Sequence, residues 1–179
     1  MESGVALKTS GVAFGSSAAA AAAAATSGED SSHAAFWLLC RAGSHRFALP
    51  MSHVIENMRM LPIESVAGAP PLVLGLCIIR GAPVPVVDAT LLFENQSGRC
   101  ERLVTVRTGN RTIAFAAEEV LGVQAIPAQA LEQLPPLFRN VESIAAIAAL
   151  DEELVFFLHT ARVISDDFIV SSDSDGAPA

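Results

Sequence analysis

Pro70-Pro71-Leu72-Val73-Leu74-Gly75-Leu76-Cys77-Ile78-Ile79-Arg80-Gly81-Ala82-Pro83-Val84-Pro85-Val86-Val87-Asp88 decides the fold. Two apolar runs of strand length, Leu72 to Arg80 and Val84 to Asp88, flank a Gly-containing turn. Pro83 and Pro85 lack an amide donor, so the second strand is expected at a sheet edge or bent at a barrel corner. Gly75 interrupts the first run, which marks a bulge or the close approach of another chain.

Outward from this stretch the pattern is short strands punctuated by turns. Phe36 to Cys40 and His45 to Leu49 flank Gly43, which marks a hairpin. Further strands are expected at Asn57 to Leu61, Arg102 to Arg107, Arg111 to Ala117, Val120 to Ile126, Ile144 to Leu150 and Glu153 to Leu158. Short helices are expected at Ser52 to Glu56, Ala89 to Phe93, Ala128 to Leu134 and Thr160 to Ile164.

A repeat organises these elements. Cys40 to Leu49 runs parallel to Val106 to Phe115 at an offset of 66, and Val84 to Phe93 matches Val155 to Ile164 at an offset of 71. Each half then holds about five strands and a short helix. Five twisted strands with turn-rich corners close into a small barrel. The expected fold is mainly β: two five-stranded barrels related by internal duplication.

Composition sets the outer limits. The net charge of −8 over 179 residues argues against a nucleic-acid footprint, which needs a clustered basic face. The acidity gathers at the ends, with residues 36 to 164 carrying 10 basic and 12 acidic side chains. Residues 1 to 35, with the run Ala18 to Ala25, read as a disordered leader, with a signal peptide as the rival reading. Residues 166 to 179 read as a disordered acidic tail, and 36 to 165 as the folded module. No apolar run is long enough to span a membrane. Cys40, Cys77 and Cys100 write neither a disulfide framework nor a zinc site, so a reducing cytoplasm is expected. Cys100, in a polar loop, is the thiol expected to meet reagents.

The long run from Pro70 to Asp88 closely resembles the CheW-like adaptor family of bacterial chemosensory systems, whose hallmark is an apolar strand, Leu-Arg-Gly, and a Val/Pro-rich strand ending in Asp. The resemblance extends back through Phe47-Ala48-Leu49 and Val54-Ile55-Glu56 and forward through Leu154 to Ile164, covering about residues 36 to 165. It implies two barrels of the Src-homology-three kind and a non-catalytic scaffold without cofactors. The implied partners are the regulatory domain of a CheA-type histidine kinase and the cytoplasmic tip of chemoreceptors, at arrays on the inner face of the membrane. It also implies receptor-binding roles for Val54, Glu56 and Arg80, and kinase-binding roles for Leu74 and Gly75.

Each residue carries a plainer reading alongside. Arg80 can present its donor fork to a partner carboxylate, or brace Asp88 internally. Glu56 can be a solvated edge carboxylate, and Leu74 plain core. Asp88 is expected to cap the helix that starts at Ala89. Phe36 and Trp37 read as core or as the seam between barrels. A bulky side chain at Gly75 is expected to block a partner while leaving the barrel folded. Ile78 stands where the family usually has Asn, and Ala146 and Ala148 where it has glycines, so the pathway served is open.

Other function classes find little support. Ser52-His53 lacks a GxSxG elbow, and His33, His45, His53 and His159 lack metal spacing. Glu118-Glu119 reads as a solvated corner. The alternatives are a stand-alone barrel binding module of another signalling pathway and a small secreted enzyme.

Overall fold

The computed structural model describes residues 34–135 and 142–163. The acidic tail and the expected leader lie outside them, except that Ala34 is described and Ala35 already belongs to the first strand. Ten strands form in chain order: β1 (Ala35–Ala42), β2 (His45–Pro50), β3 (Val54–Arg59), β4 (Val73–Ile79), β5 (Ala82–Asp88), β6 (Arg102–Thr108), β7 (Arg111–Ala117), β8 (Glu119–Ile126), β9 (Ile144–Leu150) and β10 (Glu153–Leu158). Short 3-10 turns follow β5 at Thr90–Leu92, β8 at Ala128–Ala130 and β10 at Thr160–Arg162. The helix expected over Ser52 to Glu56 is instead a turn running into β3, which begins at Val54 rather than Asn57. Among the described residues no helix is long and apolar enough to cross a membrane.

The strands make two five-stranded sheets, ordered β8-β1-β2-β10-β9 and β3-β6-β7-β5-β4. Advancing every strand of the second order by five places, counted round the ten, gives the first. The duplication is therefore a two-fold relation between sheets. It corrects one expectation: neither half builds its own barrel. Each half lends its first hairpin, β1–β2 or β6–β7, to the last three strands of the other half. In both sheets the lent hairpin joins by a parallel pairing, β10 with β2 and β5 with β7.

The exchange explains the apolar runs. A lent hairpin is buried on both faces, so it cannot alternate polar with apolar. In β1, Trp37 and Leu39 fill the interior of the first sheet with Ala48, Val155 and Phe157, while Leu38 and Cys40 face the other sheet. In β7, Ala114 and Ala116 line the second interior beside Cys77, Val84 and Leu103, while Ile113 and Phe115 enter the seam. Phe47, Leu49, Val104, Val106 and Leu158 complete that seam. Trp37 stacks edge-on against Phe157 with centroids 4.8 Å apart. Phe36, expected in core or seam, is instead 63% exposed.

The prolines find a third arrangement. β5 is an inner strand, yet its pairing with β7 begins only at Val86, so Pro83 and Pro85 meet a partner on one side alone. A strand that is interior at one end and edge at the other accommodates them.

Candidate functional site

Arg80 and Gly81 form the two-residue turn between Ile79 and Ala82, and both have positive φ, 54° and 81°. That is the backbone of a type I′ hairpin, whose twist matches its strands. Arginine pays a steric penalty there that glycine avoids. The turn aims the Arg80 side chain back across the open end of the sheet to β3. Arg80 Nε donates to Glu56 Oε1 and its terminal nitrogen to Glu56 Oε2, both at 2.8 Å. The expected internal partner, Asp88, is excluded by position: it closes the far end of β5, roughly 20 Å along the strand. The observed brace is Glu56.

This fork-to-fork pair connects β3 and the β4–β5 turn, and so ties together the two edges of the sheet where its backbone ladder is open. The Glu56 side chain is 23% exposed and that of Arg80 is 75% exposed, so the guanidinium's other edge faces solvent. The Arg80 hydrogen bonds and charge hold the Glu56 carboxyl below its ordinary range against a smaller opposing effect of burial, and Glu56 raises Arg80 in turn. Thr105 Oγ1 donates to the Glu56 carbonyl at 3.2 Å and steadies the bulge there. A cleft of about 340 Å³ opens beside the pair, lined by Ile55, Ile79, Pro83, Val84, Thr105 and Thr112. Ile55 is 40% exposed and Ile78 63% exposed. Alternation along β4 after its bulge, where Cys77 and Ile79 turn inward, is the sequence signal that places Ile78 outside.

Val54 lies at the start of β3, half-buried against the seam, and does not share the exposed face of Arg80. Leu74 is half-buried on the interior of the second sheet. Gly75 is buried and has φ 146°, a conformation nearly reserved for glycine. The chain that approaches it is its own: Glu64 and Leu76 exchange backbone hydrogen bonds of 2.8 Å, and a Cβ on Gly75 would lie 2.0 Å from the Glu64 carbonyl oxygen. A bulky residue here therefore strikes the fold before it meets any partner, which corrects the earlier expectation.

The remaining polar groups serve structure. Thr90 N–H donates to Asp88 Oδ1 at 2.8 Å, so Asp88 organises the turn two residues on, at a buried site. Burial pushes the Cys40 thiol up to about 12 and also raises Cys77. Cys100, expected to react, is half-buried, and burial with the Asp88 charge pushes it up to about 11, which leaves it a protonated, poor nucleophile at neutral pH. Among the described residues no group of three His, Cys, Asp or Glu is placed to hold a metal ion. One link the sequence did not signal is Glu94, which receives the Ser44 amide and hydroxyl at 3.1 and 3.0 Å and joins the two sheets.

Comparison with known proteins bears on the family and the fold. The CheW-like domain model matches residues 37–168. Among solved structures, the chain is similar to the crystal structure of the scaffolding protein TtCheW from Thermoanaerobacter tengcongensis. The TM-score is 0.64 and the identity 17%, with 74% of this chain and 94% of that chain covered. At that identity the likeness speaks to the fold. No curated protein sequence matches the chain.

Proposed function

The chain belongs to the CheW-like domain family, and we propose that it is a non-catalytic scaffold coupling chemoreceptor cytoplasmic tips to the regulatory domain of a CheA-type histidine kinase, working in the cytoplasm at receptor arrays. The observation that carries this reading is the Arg80–Glu56 pair. A brace needed for folding would be needed in both sheets of a duplicated protein, yet the equivalent positions in the first sheet are Asp151 and Gly122. A feature kept in one copy only is better explained by a partner. The exposed edge of the Arg80 guanidinium, with Ile55 and Ile78 nearby, suits an amphipathic helix that offers a carboxylate beside apolar side chains.

In this reading Arg80 and Glu56 form the receptor contact, and Val54 supports β3 from beneath. Leu74 contributes the kinase contact on β4, the edge strand of the second sheet. Gly75 acts indirectly, by admitting the segment at Glu64 that shapes this edge. A scaffold transmits a signal only if receptor states alter its contacts with the kinase, so the two contacts must be separable. Titration of a receptor-tip peptide and of the kinase regulatory domain into wild type, Arg80→Ala and Leu74→Ala checks this. Arg80→Ala should lose receptor affinity alone, and Leu74→Ala kinase affinity alone. Unaltered receptor affinity in a folded Arg80→Ala protein refutes the site, and binding of neither partner by wild type favours a barrel module of another pathway.

A further inference from the structure

Each sheet surrounds an interior of its own, and the same end of that interior is finished differently in the two copies. In the first sheet, alternation puts Arg46 on the face of Ala48 and Glu153 on the face of Val155, and Ala48 and Val155 both line the interior. Arg46 stands opposite Val155 in the parallel pairing of β2 with β10, and its guanidinium pairs with Glu153. The Arg46 side chain is only 18% exposed. The pair joins strands that are already hydrogen-bonded, so it fills the end of the interior rather than tying loose edges.

The duplication locates the same two places in the second sheet. The offset of 66 carries Arg46 to Thr112, and the offset of 71 carries Glu153 to Ala82. Thr112 shares the face of Ala114 and Ala82 that of Val84, so both stand at the end of the second interior. There they line the cleft of about 340 Å³ beside the Arg80–Glu56 pair. The walls are kept in kind, since Ile79, Pro83 and Val84 answer to Leu150, Leu154 and Val155. The filling is not: two short side chains stand where the first sheet has a guanidinium and a carboxylate on long stems. A carboxylate remains at the rim, because Glu56 takes the place of Gly122. Each Glu56 oxygen accepts one bond from Arg80, and a carboxylate can accept about four, so acceptor capacity is left over.

We infer that, given the receptor contact proposed above, the cleft receives an arginine side chain of the receptor tip: its stem lies along Ile79, Pro83 and Val84, and its guanidinium meets Glu56 and the Thr112 hydroxyl. The occupant is named by what fills the first sheet and by charge. An apolar side chain would cover the Glu56 carboxylate without bonding it, and an acidic one would repel it, whereas a cation uses its open lone pairs. Arginine suits the place better than lysine because its planar fork serves two acceptors at once and its head is more weakly hydrated. A helix that carries this arginine one turn from the carboxylate meeting Arg80 supplies both contacts from one face.

Two measurements on the full chain test this. N-acetyl-arginine amide, followed by amide NMR, should move the Ile55, Thr105 and Thr112 signals and saturate in roughly the millimolar range. N-acetyl-citrulline amide, of the same shape without the charge, should bind about tenfold more weakly or worse. Thr112→Arg with Ala82→Glu rebuilds the filling of the first sheet while keeping Arg80 and Glu56. This double variant should abolish the probe shifts and weaken receptor-tip peptide binding about tenfold or more, with kinase-domain binding unaltered and the melting temperature equal or higher. No shift with the arginine probe, equal binding of the citrulline probe, or wild-type receptor affinity in the folded double variant overturns the inference. The receptor reading fails by a different result: wild type binds no receptor-tip peptide, or Arg80→Ala keeps full affinity. If the double variant does not fold, the wild-type probe titration decides by itself.

Discussion

The two sheets share strand order, bulges and turn positions, but only the second carries the Arg80–Glu56 pair. In the second sheet the bulge at Ile55–Glu56 supplies a carboxylate and the β4–β5 turn supplies Arg80, so its edges are tied. In the first sheet the bulge falls at Leu121–Gly122 and the β9–β10 turn is Asp151–Glu152. Gly122 has no side chain to offer and a φ of 137°, so the first sheet has lost both members of the pair. Both sheets still form, because their cohesion comes from the lent hairpins and the seam rather than from the tie. The tie is thus free to serve recognition. Duplication supplies an internal control for every claim about this site.

The largest contrast concerns Gly75 and its equivalent, Ala146. Glu132 and Ile147 exchange backbone hydrogen bonds of 2.7 and 2.9 Å, as Glu64 and Leu76 do, yet the first sheet accepts a methyl group at this place. Gly75→Arg should cost about 4 kcal/mol or more in chemical denaturation, since it combines backbone strain with a collision against a carbonyl. Ala146→Gly should cost only about 1 kcal/mol. Equal losses would break the contrast.

Next in size is binding at the tie. Arg80→Ala should weaken receptor-tip binding on the order of tenfold, as for a lost charge-assisted hydrogen bond. The matched change Asp151→Ala should leave binding unaltered when measured by the same calorimetric titration. A loss at both positions would mean that the partner reads both sheets.

Acid provides a smaller, directional test. Glu56 has a folded value below its ordinary 4.5, held there first by the Arg80 hydrogen bonds. A depressed carboxyl stabilises the fold above its unfolded value and loses that contribution as pH falls through the folded one. The melting-temperature difference between wild type and Arg80→Ala should therefore be constant from neutrality to about pH 5 and vanish below Glu56's folded value. Glu94, also lowered, remains in both proteins and cancels from the difference. A difference that persists when Glu56 is protonated would assign Arg80 another brace.

How far the sequence reveals this arrangement depends on the range of the interaction. Strand periodicity and Gly-centred turns are local, and they locate ten strands and the duplication. The hairpin exchange is invisible locally, because a hairpin lent to either half carries the same apolar run. Arg80 stands out as a strand-end cation, but its partner lies 24 residues away across an unpaired sheet edge, which no spacing rule reports. Gly75 is legible as a site of close approach; that the approaching chain is Glu64 depends on the path of the β3–β4 connection. The Glu94 link to Ser44 joins residues 50 apart in different sheets and leaves no local mark.

The smallest effect lies in the turns themselves. Both hairpins adopt positive φ at both central residues, but the second sheet places glycine at the second position, whereas the first has Asp151 and Glu152 at 51° and 66°. Each non-glycine residue there bears a steric cost, and asparagine or aspartate bears it better than glutamate. Glu152→Gly should relieve that cost and raise stability, offset by the greater freedom of glycine in the unfolded chain. A net gain of about 0.5 kcal/mol is expected, read as a rise of one or two degrees in melting temperature. Gly81→Glu in the second sheet should lower stability by a similar or larger amount, because it introduces the strain that the first sheet already carries. If Glu152→Gly is neutral or destabilising, the glutamate makes a compensating contact and the two turns are not equivalent in strain. If both changes go as expected, the second sheet holds Arg80 on the less strained of the two turns, and the backbone there costs less than in the first sheet.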